Sequence, residues 1–221
     1  MLWSPNTQLH YPFQNTAKDY SGNARDGTIY GSGVFATKPN GGRCLYFDGT
    51  GDYVASPSFA LSGTVVIFAC DIRCKEQTTP QQILVEPKSN TVGFIYHNRI
   101  RNSANLYTAY ATGSAIGDHS VVNFFSGIYD DAWLHMIVVW DFTGAYAYAY
   151  RNAVLFASWA LTTPVFPSTN QVMYIGQLSS ANYLIDGYLA NVYIGTLPSM
   201  PAAAQMLANA NRLMLGINPI W

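Results

Sequence analysis

The carboxylates and histidines are the residues of this chain that could carry out chemistry, and their spacing does not favour catalysis. The chain has two glutamates, Glu76 and Glu86, in segments predicted to be a loop and a strand edge. Asp130 and Asp131 are adjacent, but successive residues of a strand point to opposite faces of the sheet, so a paired acid and base is not expected there. We interpret this pair as the turn before Trp133.

Other catalytic signatures are also missing from the sequence. The four histidines are widely dispersed: His10, His97, His119 and His135. His135 falls in a strand pattern, where we expect a core or sheet role. The sequence contains neither a glycine-rich phosphate loop followed by lysine nor a Gly-x-Ser-x-Gly elbow. We therefore predict that the protein is not an enzyme.

The three cysteines, Cys44, Cys70 and Cys74, do not form a disulfide framework, because their number is odd and small. The even spacing of Cys70 and Cys74 would place both on one face of a continuous strand. A zinc site would need two more soft ligands, and none lies nearby in the sequence. We expect buried free thiols, which suits folding in a reducing cytosol.

Composition limits the class of partner. The 221 residues are 49% hydrophobic and 10% charged, with a net charge of −1, which allows a large core and excludes a disordered chain. The basic residues are scattered, with Arg99 and Arg101 as the nearest thing to a cluster, so we expect no nucleic-acid partner. Residues 1–5 lack the pattern of a signal peptide, and no run approaches the roughly 20 apolar residues of a membrane span. We expect no membrane partner.

Short β-rich segments recur along the chain, separated by clusters of Gly, Asn, Asp, Ser and Pro. The clearest signal is the alternation of alanine and tyrosine over residues 145–150. A tight turn at Arg151-Asn152 would join this strand to residues 153–156 as a hairpin. The predicted strands cover residues 27–30, 43–47, 53–55, 64–72, 82–86, 92–97, 105–111, 121–125, 133–140, 145–151, 154–159, 172–175 and 184–194.

One helix is predicted near the end of the sequence. Ser199 is the expected N-cap, Pro201 lies in the first turn, residues 202–214 are strong helix formers, and Gly216 is the stop. Many strands with one late helix predict an all-β antiparallel sandwich. We expect a single domain over residues 1–221, with a core at about 7–197, the helix at about 200–214 and a tail at 215–221.

Six segments carry motifs in a fixed order along the chain: DYSGNARDGT at 19–28, GRCLYFDGTGDYV at 42–54, WLHMIVV at 133–139, YRNA at 150–153, YIG at 174–176 and DGYLANVYI at 186–194. Together they resemble the laminin-G-like jelly-roll family, which has the concanavalin A-like fold. Ala153 departs from the glycine that is usual in the fourth motif. The resemblance runs from Asp19 to the end of the helix and implies a two-sheet antiparallel jelly roll.

Asp19, Asn23 and Asp48 are weak candidates for a calcium site, which would need several oxygen ligands. We favour turn capping for these residues, because their neighbours are the Asn and Gly residues of tight turns. In the family that this chain resembles, an Asp of the last strand often contributes a calcium ligand. In this chain the corresponding position is occupied by Ala190, which has no carboxylate. We therefore expect no metal and no other cofactor.

The sixteen tyrosines, five tryptophans and eleven phenylalanines favour a binding function. Sugars pack their C–H faces on aromatic rings and place their hydroxyls on nearby polar groups. The stripe of Tyr146, Tyr148 and Tyr150 is one candidate platform, unless it simply packs one sheet face on another element. Residues 98–112, with Arg99 and Tyr107, are a second candidate.

The low charge and the tail at 215–221 favour assembly contacts, with Trp221 as the first candidate. This tail resembles phage-encoded laminin-G-like proteins found on virions as capsid decorations, head fibres or tail appendages. The resemblance implies a virion surface protein that assembles in the host cytoplasm and either decorates the shell or contacts host-surface glycans. Its expected partners are other virion proteins, cell-surface glycans or both, and a homo-oligomer is plausible. The alternative is a carbohydrate-binding module of a secreted bacterial protein.

Overall fold

A computed structural model describes residues 7–75, 82–87, 97–101, 105–111, 116–126, 132–166, 170–177 and 184–214. These residues form fifteen strands and one helix. The elements are β1 (Thr7–Tyr11), β2 (Thr28–Tyr30), β3 (Val34–Thr37), β4 (Arg43–Asp48), β5 (Tyr53–Ala55), β6 (Val65–Cys74), β7 (Gln82–Pro87), β8 (His97–Arg101), β9 (Asn105–Ala111), β10 (Ile116–Val121), β11 (Leu134–Asp141), β12 (Tyr146–Arg151), β13 (Val154–Ala160), β14 (Met173–Ile175), β15 (Asp186–Leu197) and α1 (Ala203–Met214).

The strands form two antiparallel sheets, which confirms the predicted sandwich. The eight-stranded sheet has the order β13-β12-β11-β6-β15-β4-β3, with β1 also paired to β15. The seven-stranded sheet has the order β10-β9-β8-β7-β14-β5-β2. The long strand β15 pairs with β6 over most of its length, with β4 near its start and with β1 near its end.

The main core lies between the two sheets, because alternate residues of each strand point inward. From β6, Phe68 and Ile72 are completely or almost completely buried there, and Val54 and Ile175 face them from the seven-stranded sheet. Cys70 and Cys74 belong to the same core, as their even spacing predicted. The prediction of buried free thiols is confirmed for all three cysteines.

A second apolar cluster lies on the outer face of the eight-stranded sheet, beneath α1. Met206 of the helix is buried there with Ile67, Ala69, Ile137 and other residues of β6, β11 and β15. This cluster ends at Ala69 on β6, and the next residue of β6 on that face is the carboxylate Asp71. In the described part of the chain, no helix has the length and apolarity that a membrane span requires.

The hairpin predicted from the alanine–tyrosine alternation is confirmed, with its turn one residue further along. Arg151 is the last residue of β12, and the loop consists of Asn152 and Ala153, which have φ angles of 50° and 63°. Two positive φ values are those of a type I′ turn, whose twist matches that of the flanking strands. Ala153 adopts this conformation in place of the usual glycine.

Several predicted element bounds were wrong. The strand predicted at 121–125 ends at Val121, and residues 122–126 form a turn in which Asn123 has a positive φ. Helix α1 begins at Ala203, and its first backbone bond runs from the Met206 amide to the Ala202 carbonyl, so Ser199 is not its N-cap. Strands β1 and β3 were not predicted, and β8 and β10 overlap the predicted strands only at His97 and Val121. Residues 92–96 of the predicted strand 92–97 lie outside the described residues, as do Glu76, Asp130, Asp131, Gly216 and the tail with Trp221.

Candidate functional site

Three tyrosines from neighbouring strands of the seven-stranded sheet form a continuous row of rings, which we name the tyrosine file: Tyr30, Tyr53 and Tyr174. Tyr30 lies directly opposite Tyr53 in the β2–β5 register, and the two rings stack with centroids 4.5 Å apart and planes inclined by 9°. Tyr174 is paired with Ala55, so it is a diagonal neighbour of Tyr53, with a centroid distance of 5.8 Å. Aromatic side chains reach each other at both kinds of position.

The strand alternation places the tyrosine file on the outer face of the sheet. Val54, next to Tyr53, and Met173 and Ile175, on either side of Tyr174, are completely buried in the core. Tyr30 is 44% exposed, and β2 is the last strand in the described order of the sheet. No further strand in this order therefore covers the ring face of Tyr30 that points away from Tyr53.

Two turns hold Tyr30 and Tyr53 in place. The Asp52 carboxylate accepts hydrogen bonds from the backbone amides of Ser32 at 2.6 Å and of Asp48 at 3.1 Å. Gly31 has a φ of +82°, and a Cβ atom there would lie 2.2 Å from Asp52 Oδ1. A glycine is therefore required directly after Tyr30 for the two turns to meet.

The same turns, which adjoin Tyr30 and Tyr53 along the chain, carry several polar groups. The Thr50 amide donates to Asp48 Oδ1 at 2.8 Å, and the Ser32 hydroxyl lies 3.5 Å from Asp48 Oδ2. Hydrogen bonds from the side chain and backbone of Thr50 lower the pKa of Asp48, so this carboxylate is an ionised acceptor near neutral pH. An open aromatic face beside such acceptors and hydroxyls can bind a polyhydroxylated ligand.

The predicted stripe of Tyr146, Tyr148 and Tyr150 lies on the other sheet, on the outer face that carries α1. Its members alternate with Ala147 and Ala149, which are buried in the main core. Tyr146 is 46% exposed, whereas Tyr150 is only 7% exposed and belongs to the cluster beneath the helix. Burial raises the pKa of Tyr150. Packing thus occupies one end of the stripe, and the structure does not bring it to the tyrosine file.

Arg99 and Tyr107 belong to the seven-stranded sheet, where they lie opposite each other in the β8–β9 register. Their side chains are outside the described part of the structure. In the sheet order, β7 separates β8 from β14. The two residues are therefore on the same sheet as the tyrosine file, at a distance of several strands from Tyr30.

The calcium candidates lie in two separate turns. The Asp19 carboxylate accepts from the backbone amides of His10, Ser21 and Arg25 at 2.9–3.0 Å and from the Ser21 hydroxyl at 2.6 Å. The Asn23 side-chain amide donates to the Thr7 carbonyl. Asp48 belongs instead to the turn beside Tyr53, described above. Among the described residues, no group of three or more His, Cys, Asp or Glu side chains is arranged to hold a metal ion.

Sequence reasoning did not single out the tyrosine file. Tyr30 and Tyr53 each stand next to a turn of Gly, Ser, Asp or Thr residues at the end of a predicted strand, and this was the available signal. Tyr174 lies in the predicted strand 172–175. Bringing the three together requires the order β14-β5-β2, which no local pattern specifies.

Comparison with solved structures shows the fold. The binding domain of Paraclostridial Mosquitocidal Protein 1 is similar, with a TM-score of 0.71 and 12% identity over 94% of this chain and 51% of that chain. Botulinum neurotoxin type C, whose cell entry is dependent upon interaction with two ganglioside molecules, is similar as well. The TM-score is 0.68 and the identity 13%, over 94% of this chain and 51% of that chain. The chain thus spans about half the length of these toxin structures.

Domain 4 of AbnA, a GH43 extracellular arabinanase from Geobacillus stearothermophilus solved in complex with arabinotriose, is also similar. The TM-score is 0.71 and the identity 16%, over 94% of this chain and 98% of that domain. No curated protein sequence matches the chain. The model of the family described as concanavalin A-like lectin/glucanases matches residues 48–197, which is more than half of the sequence. The chain therefore belongs to the concanavalin A-like lectin/glucanases superfamily.

Proposed function

We propose that this protein is a non-enzymatic carbohydrate-binding domain and that the tyrosine file holds the sugar. One observation carries the proposal: the outermost ring, Tyr30, is stacked on Tyr53 on one side and is 44% exposed. The turn after Tyr30 carries Ser32, and the turn before Tyr53 carries Asp48 and Thr50. Stacking fixes the ring in advance, so little side-chain entropy is lost when a ligand binds.

In the proposed complex, the C–H face of one sugar unit packs on Tyr30. Its hydroxyls donate to the Asp48 carboxylate and exchange hydrogen bonds with the hydroxyls of Thr50 and Ser32. Asp48 can accept these bonds because its lowered pKa keeps it ionised. The ionised Asp48 carboxylate would repel an acidic sugar, so the ligand in this proposal is a neutral sugar.

The comparisons support a binding role of this kind. The arabinanase domain was solved with arabinotriose, and the botulinum neurotoxin interacts with gangliosides. Both proteins have low sequence identity to this chain, and the match covers only about half of the toxin structure. Neither ligand is therefore assigned to this chain. The two comparisons motivate testing sugars first.

The test is a glycan array followed by titration calorimetry with the best neutral oligosaccharide, with linear arabinan and dextran as polymeric probes. Tyr30→Ala should weaken binding about fivefold or more, because a central aromatic contact contributes more than about 1 kcal/mol. Tyr146→Ala is the matched control, since Tyr146 has nearly the same exposure and lies on the other sheet. Equal affinity of Tyr30→Ala and wild type would refute this site, and loss confined to Tyr146→Ala would move the ligand to the predicted stripe.

A location on a bacteriophage particle remains a prediction from the resemblance of the tail, and Trp221 remains its proposed assembly contact. Purified particles that contain the chain in many stoichiometric copies would establish this location. A free protein that binds a defined polysaccharide and does not associate with particles would favour the alternative, a module of a secreted bacterial protein.

A further inference from the structure

Strand β13 forms an edge of the eight-stranded sheet and has an apolar sequence that is largely exposed. It is the first strand in the order of this sheet, and among the described strands only β12 pairs with it. Five of its seven residues are exposed, and Val154, Leu155 and Phe156 have exposed fractions of 67%, 50% and 42%. A near-continuous apolar run is typical of a strand whose two faces are both covered. The apolar surface of β13 thus exceeds what its neighbour β12 covers.

Both apolar clusters of the molecule reach the surface at β13. The Phe156 ring lies edge-on to the ring of Phe124, which is completely buried in the main core, with centroids 5.3 Å apart. Leu155 is opposite Tyr150, which belongs to the second cluster beneath α1. A strand added to this edge would continue both clusters and remove their exposed ends from water, which is favourable.

The other edges of the described sheets have features that oppose pairing with another chain, and β13 lacks them. Short strands, charged residues and prolines are the usual protection of a sheet edge. Strand β2 has three residues, β3 has four and is followed by Lys38 and Pro39, and β10 contains Asp118. In β1, which pairs only with β15, no residue is exposed. Strand β13 has seven residues, none of them charged and none of them proline.

We propose that β13 is a dimer interface, on which β13 of a second copy of this chain pairs antiparallel about a two-fold axis. The second copy fits because its strand is uncharged, so no like charges meet, and because it offers apolar side chains to both clusters. A two-fold contact is closed and uses each edge once, whereas an open apolar edge promotes aggregation. In the dimer the two eight-stranded sheets become one continuous sheet.

The alternation of β13 restricts where the two-fold axis can pass. The register shift against β12 lies before Ala157, so residues 157–160 pair regularly. Ala157 and Trp159 pack against the main core, whereas Ser158 is opposite Tyr148 and faces the other side. Residues directly opposite each other share a face, so the axis passes through a residue. An axis at Ser158 places small Ala157 opposite large Trp159 of the second copy and lets the two Ser158 hydroxyls hydrogen-bond.

This interface lies away from the tyrosine file. His119 of β10 stacks on Trp159 of β13 with centroids 4.6 Å apart, so these two strands share one side of the sandwich. Tyr30 lies on β2, at the other end of the seven-stranded sheet from β10. The dimer therefore leaves both tyrosine files exposed, and the proposal does not rest on the proposed function.

The test is sedimentation equilibrium of the full chain, which should show a monomer–dimer equilibrium. Ser158→Lys and Ser158→Glu should each weaken dimerisation about fivefold, because like charges then lie directly opposite each other. An equimolar mixture of the two variants should recover the dimer, because opposite charges then meet; variants that had lost their fold would not recover. Ser199→Lys is the matched control, since it makes the same change at an exposed serine outside β13.

Ser158→Cys provides a second test, because directly opposite residues of antiparallel strands have Cα atoms about 4.5–5.5 Å apart, within the range of a disulfide. Mild oxidation should link two copies of Ser158→Cys and not two copies of Ser199→Cys, while the three native cysteines are buried. The inference is overturned if the wild type stays monomeric, which would leave the edge to a strand of another protein, or if it forms open assemblies larger than a dimer. Equal cross-linking of the two cysteine variants, or no recovery in the mixture, would overturn it as well.

Discussion

Replacing Asp71 by asparagine should strongly destabilise the protein, because it removes, among the described residues, the only charge that compensates Lys38 in a buried network of hydrogen bonds. Lys38 and Asn191 both donate to Oδ2 of Asp71, while His135 donates to Oδ1. If the side-chain oxygen that remains in Asp71→Asn points toward His135, the new NH₂ group takes the place of Oδ2. It then faces the two groups that donate to Oδ2 in the wild type, Lys38 Nζ and Asn191 Nδ2. Breaking a buried ion pair on one side costs about 3–5 kcal/mol, and we expect this loss in the free energy of unfolding at pH 7.

The assay is urea unfolding followed by tryptophan fluorescence. Burial opposes ionisation of Asp71, but the hydrogen bonds and charges of His135 and Lys38 outweigh it and hold the pKa of Asp71 below its ordinary value of 3.8. A lowered pKa adds stability that is present above this ordinary value and is lost as the pH falls through the folded-state pKa. The difference between wild type and Asp71→Asn should therefore shrink below pH 3.8.

A double variant provides the control for this reasoning. Lys38→Met removes the stranded ammonium group, so Lys38→Met with Asp71→Asn should be more stable than the sum of the single effects by about 1–3 kcal/mol. A loss below about 1 kcal/mol for Asp71→Asn, the size of an exposed pair, would refute the buried-network interpretation. Strict additivity of the two substitutions would refute it as well.

Four further predictions concern other parts of the fold. Gly31→Ala should cost about 1–3 kcal/mol more than Gly41→Ala in urea unfolding, because both glycines have a φ near +82° but only Gly31 has Asp52 within contact; equal costs would contradict the contact. Met206→Ala should cost about 2–5 kcal/mol by loss of packing beneath α1, whereas exposed Leu207→Ala should stay within about 0.5 kcal/mol. Cys44, Cys70 and Cys74 should react with a thiol reagent only in denaturant, since all three are buried and burial raises the pKa of Cys44 and Cys70; fast labelling of the native protein would contradict this. Burial, opposed by the charge of Asp19, lowers the pKa of His10 to about 4, so the NMR titration of His10 should show a midpoint well below 6.5. The free energy of unfolding should fall as the pH drops below 6.5, because His10 then takes up a proton in the unfolded chain but not in the folded one.

Local patterns were sufficient to predict many of the strands, such as β9, and the β12–β13 hairpin. The alternation over residues 145–150 encodes which side chains face the core, and β9 was predicted at the residues 105–111 that it occupies. β1 was missed although its burial alternates, with Thr7, Leu9 and Tyr11 buried, because Gln8 and His10 made the short segment look like a polar loop. A five-residue window provides too little periodicity to outweigh such residues.

The tyrosine file and the Asp71 network could not be predicted in the same way, because they depend on strand order. Asp71 lies 64 residues from His135 and 33 from Lys38 in the sequence. The even spacing of Cys70 and Cys74 predicted their shared face, and the same rule places Asp71 and Arg73 on the opposite one. It does not say which strands lie beside β6. The tyrosine file depends likewise on pairings of β2 and β14 with β5.

The central position of β15 has a consequence for how the chain folds. This strand pairs with β1, β4 and β6, and Thr7 is opposite Gly195. Until residues 186–197 have left the ribosome, β4 and β6 lack the strand that lies between them, and their edges can pair with other chains. The eight-stranded sheet must therefore close late and largely at once, on the millisecond-to-second scale of folds dominated by long-range pairings. Expression and aggregation should consequently respond more to substitutions in β15 than to equally destabilising ones in the 145–160 hairpin, which can form as soon as it is synthesised.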